Sequence, residues 1–380
     1  MSGNPPPDST LEDNLRIISR GRVFAGIALI GTSAMVLAGC AAAPTPSPSK
    51  TAAAGFLPCM VSDLGGFDDH SFNQLGFEGI NDAAKALGVK PITVQSAAET
   101  DYAPNINNLI SQGCTLIVTV GFALSAGTIT AALANPKVQF AIIDDAADSK
   151  NAGKPDAPNI KPILFNTAQS AFLAGYAAAS YSKSGIVATW GGMNFPTVAI
   201  FMNGFAQGVS YYNSKKKTTV KVLGFDPASP GTATFTGGFQ ANAVAKTTAQ
   251  NFIDQGADIL LPVGGPIYQS AAAAITDSGK DIALLGVDAD LFVTDPTVDK
   301  IIMTSVEKGI KQAVTDVVTS AGQGKFTTDA YIGTLANKGV GIAPFHNFDS
   351  KVPKTLAGEL DAISKGIIDG SIPVKSYLTK

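Results

Sequence analysis

Histidine is almost missing from this chain: His70 and His346 are the two in 380 residues. Two imidazoles cannot build a His-rich metal centre, although one would serve a catalytic triad. Charge is scarce as well, at 15% of residues, and Lys+Arg 27 against Asp+Glu 30 leaves a net charge of -3. No broad basic surface is available to neutralise a phosphate backbone, which sets nucleic acid aside as a partner. Motifs of several enzyme classes are absent too. The chain has no Gly-x-x-x-x-Gly-Lys-Ser/Thr phosphate loop and no Gly-x-Ser-x-Gly elbow. Gly322-Gln323-Gly324 and Gly339-Val340-Gly341 both lack the third glycine of a dinucleotide fingerprint. The expectation is a protein without enzymatic activity, cofactor or bound metal.

The N-terminal residues specify a compartment. Arg16, Arg20 and Arg22 precede an uncharged run from Val23 to Leu37, which ends in Leu37-Ala38-Gly39-Cys40. A positive segment, an apolar segment and small residues before a cleavage point make a secretory signal. A spanning anchor is the alternative; it needs about 20 apolar residues, and Gly26, Gly31, Thr32, Ser33 and Gly39 interrupt this run. Leu-Ala-Gly-Cys resembles a bacterial lipobox. That resemblance implies removal of residues 1–39, a lipid on Cys40, and anchoring to the cell membrane on its extracytoplasmic face. Residues 40–54, rich in Pro, Ser, Thr and Ala, read as an extended tether.

Cys59 and Cys114 each begin a buried-strand pattern and would lie side by side on neighbouring strands. Outside the cytoplasm such a pair can be oxidised; a disulfide and two separate buried thiols both fit.

From Leu57 onward, short apolar runs alternate with longer stretches of helical period. Strands are expected at Leu57–Val61, Pro91–Gln95, Thr115–Val120, Gln139–Ile143, Ile160–Phe165, Ile186–Trp190, Thr219–Gly224, Ile259–Pro262, Ala283–Val287 and Ile301–Ser305. Helices are expected between them, including Ser71–Leu87, Tyr102–Gln112, Ala168–Ser180, Val198–Tyr212, Thr236–Gln255 and Lys308–Gly322. The strands are continuously apolar, which suits parallel strands covered on both faces. The class is α/β, doubly wound. Ten strands and 380 residues divide better into two lobes than into one sheet.

Ligands of such sheets sit beyond the carboxyl ends of the strands. The residues found there are Ser62 and Asp63, Gly121 and Phe122, Asp144 and Asp145, Gly191-Gly192-Met193, Val263-Gly264-Gly265-Pro266 and Asp288 to Asp290. Glycines admit a close backbone and isolated acids accept hydrogen bonds, so the set reads as a neutral, hydrogen-bonding site. Gly66-Phe67-Asp68-Asp69 resembles the end of the Asp-x-Asp-x-Gly-x-Asp-Asp calcium motif of nucleoside hydrolases. Ser62 and Leu64 stand where its first two aspartates belong, so two metal-holding carboxylates are missing.

The run Val61-Ser62-Asp63-Leu64-Gly65-Gly66-Phe67-Asp68-Asp69-His70-Ser71-Phe72-Asn73-Gln74, with Phe77-Glu78-Gly79, resembles the opening signature of the basic membrane protein family of lipoproteins. Further matches follow in order: Phe140 to Asp144, Ala171 to Tyr176, Gly191-Gly192-Met193 with Phe201, Gly286-Val287-Asp288, and Thr304-Ser305 before Lys308. The family's usual Lys or Arg after the paired aspartates is His70 here. The resemblance implies a two-lobed periplasmic-binding-protein fold of type I with the ligand cleft between lobes. It places residues 55–167 with 286–325 in lobe 1 and 168–285 with 326–380 in lobe 2. It further implies a monomeric substrate-binding protein of an ABC importer, partnered by a membrane permease and binding purine nucleosides. Phe72 and Phe201 would stack on the base, and Asp63 with Asn73 would read its edge. Asp288, Lys308 and the Gly264-Gly265 backbone would hold the ribose, and Asp144 would line the cleft. Asp68 and Asp69 are assigned instead to capping the Ser71 helix. Alternatives are the same fold holding a pentose, an amino acid or a modified nucleoside, and a surface lipoprotein without a transport role.

Overall fold

The computed structural model describes residues 51–378, and both Cys40 and the apolar run before it lie outside the described residues. Packing begins ahead of Gly55, where the tether was expected to end. Ala52 N donates to Leu87 O at 3.3 Å and Ala53 N to Gly322 O at 2.7 Å. Both acceptors are last-turn carbonyls of helices, which need donors from outside their own helix.

The first lobe is built from β1 (Pro58–Val61), α1 (Phe72–Leu87), β2 (Ile92–Val94), α2 (Tyr102–Ser111), β3 (Leu116–Val120), α3 (Ser125–Ala134), β4 (Gln139–Ile143) and β5 (Ile160–Phe165). The second contains α4 (Thr167–Tyr181), β6 (Ile186–Gly191), α5 (Pro196–Lys216), β7 (Lys221–Leu223), α6 (Ala243–Asp254), β8 (Ile259–Val263), α7 (Ile267–Ser278), β9 (Ala283–Asp288), α8 (Leu291–Thr294) and β10 (Ile302–Lys308). The chain then runs through α9 (Ile310–Gly322), β11 (Tyr331–Gly333), β12 (Val340–Ile342) and α10 (Leu356–Ile368). All ten strands expected from the sequence are present. The apolar runs explain why: β1, β3, β8 and β9 are buried at every position, as strands sandwiched between two helix layers must be.

Strand order is β11-β5-β4-β3-β1-β2 in one sheet and β12-β10-β9-β8-β6-β7 in the other. Every pairing is parallel except β10 with β12. The order reverses between β1 and β3, and again between β6 and β8, which opens a crevice at the strand ends of each lobe. Cys59 in β1 and Cys114, just before β3, are joined by a disulfide.

The lobe boundary expected at residue 286 is displaced. β9 pairs with β8 and β10 pairs with β9, so residues 286–308 remain in the second lobe. The return to lobe 1 is made by α9, whose Lys311 bonds Glu78 and Asp82 of α1 at 3.0 and 3.2 Å. β11 then pairs with β5, while β12 pairs with β10. The chain therefore crosses between lobes three times, at 165–167, 308–310 and 333–340. The first crossing falls where the sequence placed the end of lobe 1, but residues 331–333 and 340–342 are too short to carry a periodic signal, so the third was not readable from sequence.

A second difference concerns α6, expected from Thr236 and starting at Ala243. Asn242 caps it, its side chain accepting from Ala245 N at 3.0 Å. The residues before it are held instead against β6, with Thr236 N donating to Gly191 O and Gly237 N to Gly192 O, both at 2.9 Å. Among the described residues no helix is long and apolar enough to cross a membrane.

Within lobe 2, α4 and α5 cross in backbone contact. A Cβ on Gly208 would lie 2.0 Å from Phe172 O, and one on Gly204 2.4 Å from Ala168 O. Gly208→Ala should therefore overpack this crossing and destabilise by about 1–3 kcal/mol. Gly358→Ala, in the open on α10, should be neutral or stabilising by up to about 1 kcal/mol. Thermal unfolding of the two variants checks both signs.

Candidate functional site

The strand ends of the two lobes face one another around a cavity lined by residues of both. All nine residues expected at the site line it: Asp63, Phe72, Asn73, Asp144, Phe201, Gly264, Gly265, Asp288 and Lys308.

Lys308 is the centre of the arrangement. It ends β10 at a crossing between lobes, and its side chain is 3% exposed. The ammonium bonds Asp144 Oδ2 from lobe 1 and lies 3.2 Å from Asp288 Oδ1 of lobe 2. It also faces the rings of Phe72 and Phe201, with centroids at 5.0 and 4.9 Å. Burial alone would lower the pKa of this lysine, but the two carboxylates hold it above its usual value.

Asp144 follows β4 and Asp288 ends β9, and both have left-handed backbones, φ 62° and 69°. This conformation is uncommon away from glycine and is found where structure fixes a functional side chain. Burial pushes Asp144 up to about 6, against the opposing pull of Lys308, and raises Asp288 as well. Asp144 Oδ1 has no partner among the described residues, whereas Asp288 Oδ1 is engaged by the Lys308 ammonium. Ser71 Oγ, from lobe 1, donates to Val287 O at 3.0 Å and to Asp288 Oδ2 at 3.4 Å.

Asp63 is fixed differently. Its Oδ1 accepts from Gly65 N at 2.9 Å and from Asn73 Nδ2 at 2.7 Å. Oδ2 has no bond among the described residues and borders Gly121, where a Cβ would sit 3.0 Å away. Burial pushes this carboxyl up to about 6. Asn73, paired with Asp63 as an edge reader from sequence, has its amide donors taken by Asp63 and by Asp69 Oδ2 at 3.0 Å. Its Oδ1 accepts from Asp63 N at 3.2 Å. What Asn73 offers a ligand is the second lone pair of Oδ1. Asp69 caps α1 as expected, accepting from the backbone N–H groups of Ser71, Asn73 and Gln74. Asp68 is exposed and outside this cap.

Phe201 is 1% exposed and belongs to the lobe 2 core while lining the cavity. Gly264 is overlaid by an aromatic ring that sequence reasoning missed. A Cβ there would sit 2.4 Å from Phe239, and one on Gly192 would sit 2.3 Å from it. These glycines make room for Phe239, which with Phe122, Phe195 and Tyr102 extends the wall. Gly121-Phe122 stands at a strand end, and Pro196 marks a helix start beside Phe195. Phe239, by contrast, carries no local signal.

A family model described as ABC transporter substrate-binding protein PnrA-like matches residues 56–374. The chain is 28% identical to the ABC transporter nucleoside-binding protein BmpA of Lactococcus lactis subsp. cremoris, over 93% of this chain and 99% of that protein. It is 27% identical to basic membrane protein A1 of Borrelia garinii subsp. bavariensis, over 82% and 86%. Among solved structures, an ABC transporter solute-binding protein from Aeropyrum pernix K1 superposes with a TM-score of 0.74 at 22% identity, covering 85% of this chain and 94% of that one. That likeness shows the fold.

The raised carboxyls set a stability signature. Asp63 moves from 3.8 unfolded to about 6 folded, so the folded state holds the extra proton between these values and stability falls as pH rises through them. Asp63→Asn keeps the oxygen that accepts from Gly65 and Asn73 and removes the charge. Its melting temperature should exceed that of the parent at pH 7.5 and approach it near pH 4. A pH-independent difference would contradict the assignment.

Proposed function

The chain belongs to the Bmp family of PnrA-like ABC transporter substrate-binding proteins, and from that footing we propose that it captures a purine nucleoside between its lobes for delivery to a membrane permease. One buried carboxylate oxygen carries the reading: Asp144 Oδ1, on the carboxylate whose other oxygen holds Lys308, has no partner among the described residues. Buried acceptors of this kind call for donors, and the hydroxyls of a ribose supply them while an ether or hydroxyl oxygen receives the ammonium. The flat faces of Phe72 and Phe201, both within about 5 Å of the same ammonium, suit the base. Aromatic stacking is worth roughly 1–3 kcal/mol per base face. Asp63 Oδ2 and Asn73 Oδ1 accept from base N–H groups.

Charge argues against a nucleotide. Asp63, Asp69, Asp144 and Asp288 line the cavity with Lys308, which is already paired twice. A phosphate would meet repulsion and no free cation. A bare pentose would satisfy the free Asp144 oxygen but leave Asp63 and the two rings uncovered. The function assigned is binding, with no covalent step. The lobes close about the three crossings, and closure around ligand is an established mode for such molecules. The lipobox ending at Cys40 gives the anchor, which keeps the protein at the extracytoplasmic membrane face as a monomer serving its permease.

Titration calorimetry with inosine, guanosine and adenosine should give saturable heat; no heat with any of the three would reject the assignment. Phe72→Ala and Asp63→Ala should each weaken binding about tenfold or more, since about 1.4 kcal/mol corresponds to a factor of ten. The 2′-deoxynucleosides should bind more weakly than their ribose counterparts, because a buried acceptor is left unpaired.

A further inference from the structure

Two phenylalanines meet across the cavity from opposite lobes. Phe122 follows β3 in lobe 1, and Phe195 directly precedes α5 in lobe 2. Their rings are stacked, with centroids 4.7 Å apart and planes at 24°. Phe239 supports the pair from lobe 2, 6.0 Å from Phe195. Both stacked residues are half-buried and line the cavity, which puts them at its rim.

Neither ring owes its position to a ligand. Gly121, with φ 105°, turns the chain after β3 and donates its N–H to Ile143 O at 3.1 Å. A one-turn 3-10 helix over Phe122–Leu124 follows, closed by Leu124 N donating to Gly121 O at 3.1 Å. Phe195 is extended, φ -104° and ψ 149°, as the residue before a proline must be. Its carbonyl accepts from Val198 N and Ala199 N at 3.0 and 2.9 Å, fixing it to the first turn of α5. Polar ties between the lobes include the Lys308–Asp144 pair inside the cavity and two at the start of α1: Ser71 Oγ to Val287 O, and Thr294 Oγ1 to His70 O at 2.7 Å.

We propose that the Phe122–Phe195 stack is an aromatic latch that holds the lobes closed and so sets the release rate of whatever fills the cavity. The contact joins two lobes and cannot survive their separation, so its free energy belongs to the closed state alone. An interaction made in one of two states shifts the population toward that state. Because the contact breaks on opening, its loss acts on dissociation more than on association. An aromatic pair of this geometry corresponds to roughly a two- to tenfold change in rate. The latch holds for any occupant, including one other than a nucleoside.

The test uses spin labels on Leu133→Cys in lobe 1 and Val244→Cys in lobe 2, both exposed positions, in a Cys40→Ser background. Inter-lobe distances are measured with and without 2-aminopurine riboside, and its dissociation is followed by fluorescence. Phe122→Ala and Phe195→Ala should each add a longer-distance population and speed release by roughly two- to tenfold, with association nearly unchanged. The double variant should be no worse than either single one, because each already removes the pair, and Phe122→Tyr should stay near the parent. Label distances unchanged in both single variants, or a double-variant effect equal to the product of the two, would overturn the latch. If the parent does not retain the riboside, the nucleoside assignment fails while the distances still decide the latch.

Discussion

A lysine ammonium buried to 3% exposure is the constraint from which the rest of the structure follows. Taking such a charge out of water is costly unless partners surround it, and a single buried partner rarely suffices. Lys308 obtains them from both lobes, Asp144 from one and Asp288 from the other, with the phenyl rings of Phe72 and Phe201 nearby. The residue also ends the strand at which the chain crosses between lobes. Its pairing therefore ties closure of the molecule to the chemistry of the cavity. A ligand that donates to the free Asp144 oxygen completes a network that protein groups alone leave unfinished.

That incompleteness has a cost in the folded state. Asp63 and Asp144 are both pushed up to about 6 by burial, and Asp144 and Asp288 occupy a backbone region that few residues other than glycine adopt. Strain and buried charge of this sort persist where surrounding structure over-determines them. Here the over-determination is visible: Asn73 bridges Asp63 and Asp69, Asp69 in turn binds three N–H groups at the start of α1, and Gly65 anchors Asp63 from the other side. The carboxylate at the end of β1 is held in place before any ligand arrives, which is the condition for tight and selective capture.

Much of this was legible in the sequence, and the reasons differ by level. Strands such as Leu116–Val120 and Ile259–Val263 announce themselves because both faces are buried and every position is apolar. The place of the cavity was readable because in parallel sheets a crevice opens at strand ends, and Asp63, Asp144 and Asp288 stand there and line it. The lobe boundary was not readable, since β9 and β10 look the same whichever sheet they join, and residues 331–333 and 340–342 are too short for periodicity. Nor could the sequence show that Asn73 turns its amide inward, or that Gly192 and Gly264 are small to admit Phe239. Those facts arise from side chains distant in the chain meeting in space, which no local pattern records.

The central claim is that this cavity is shaped for a base and a diol together. It is tested most directly by offering the protein an equimolar mixture of purine nucleosides, pentoses and amino acids, removing unbound solute, denaturing the protein and identifying what is released by mass spectrometry. A purine nucleoside should be the species retained. Retention of a pentose or an amino acid in its place would contradict the account.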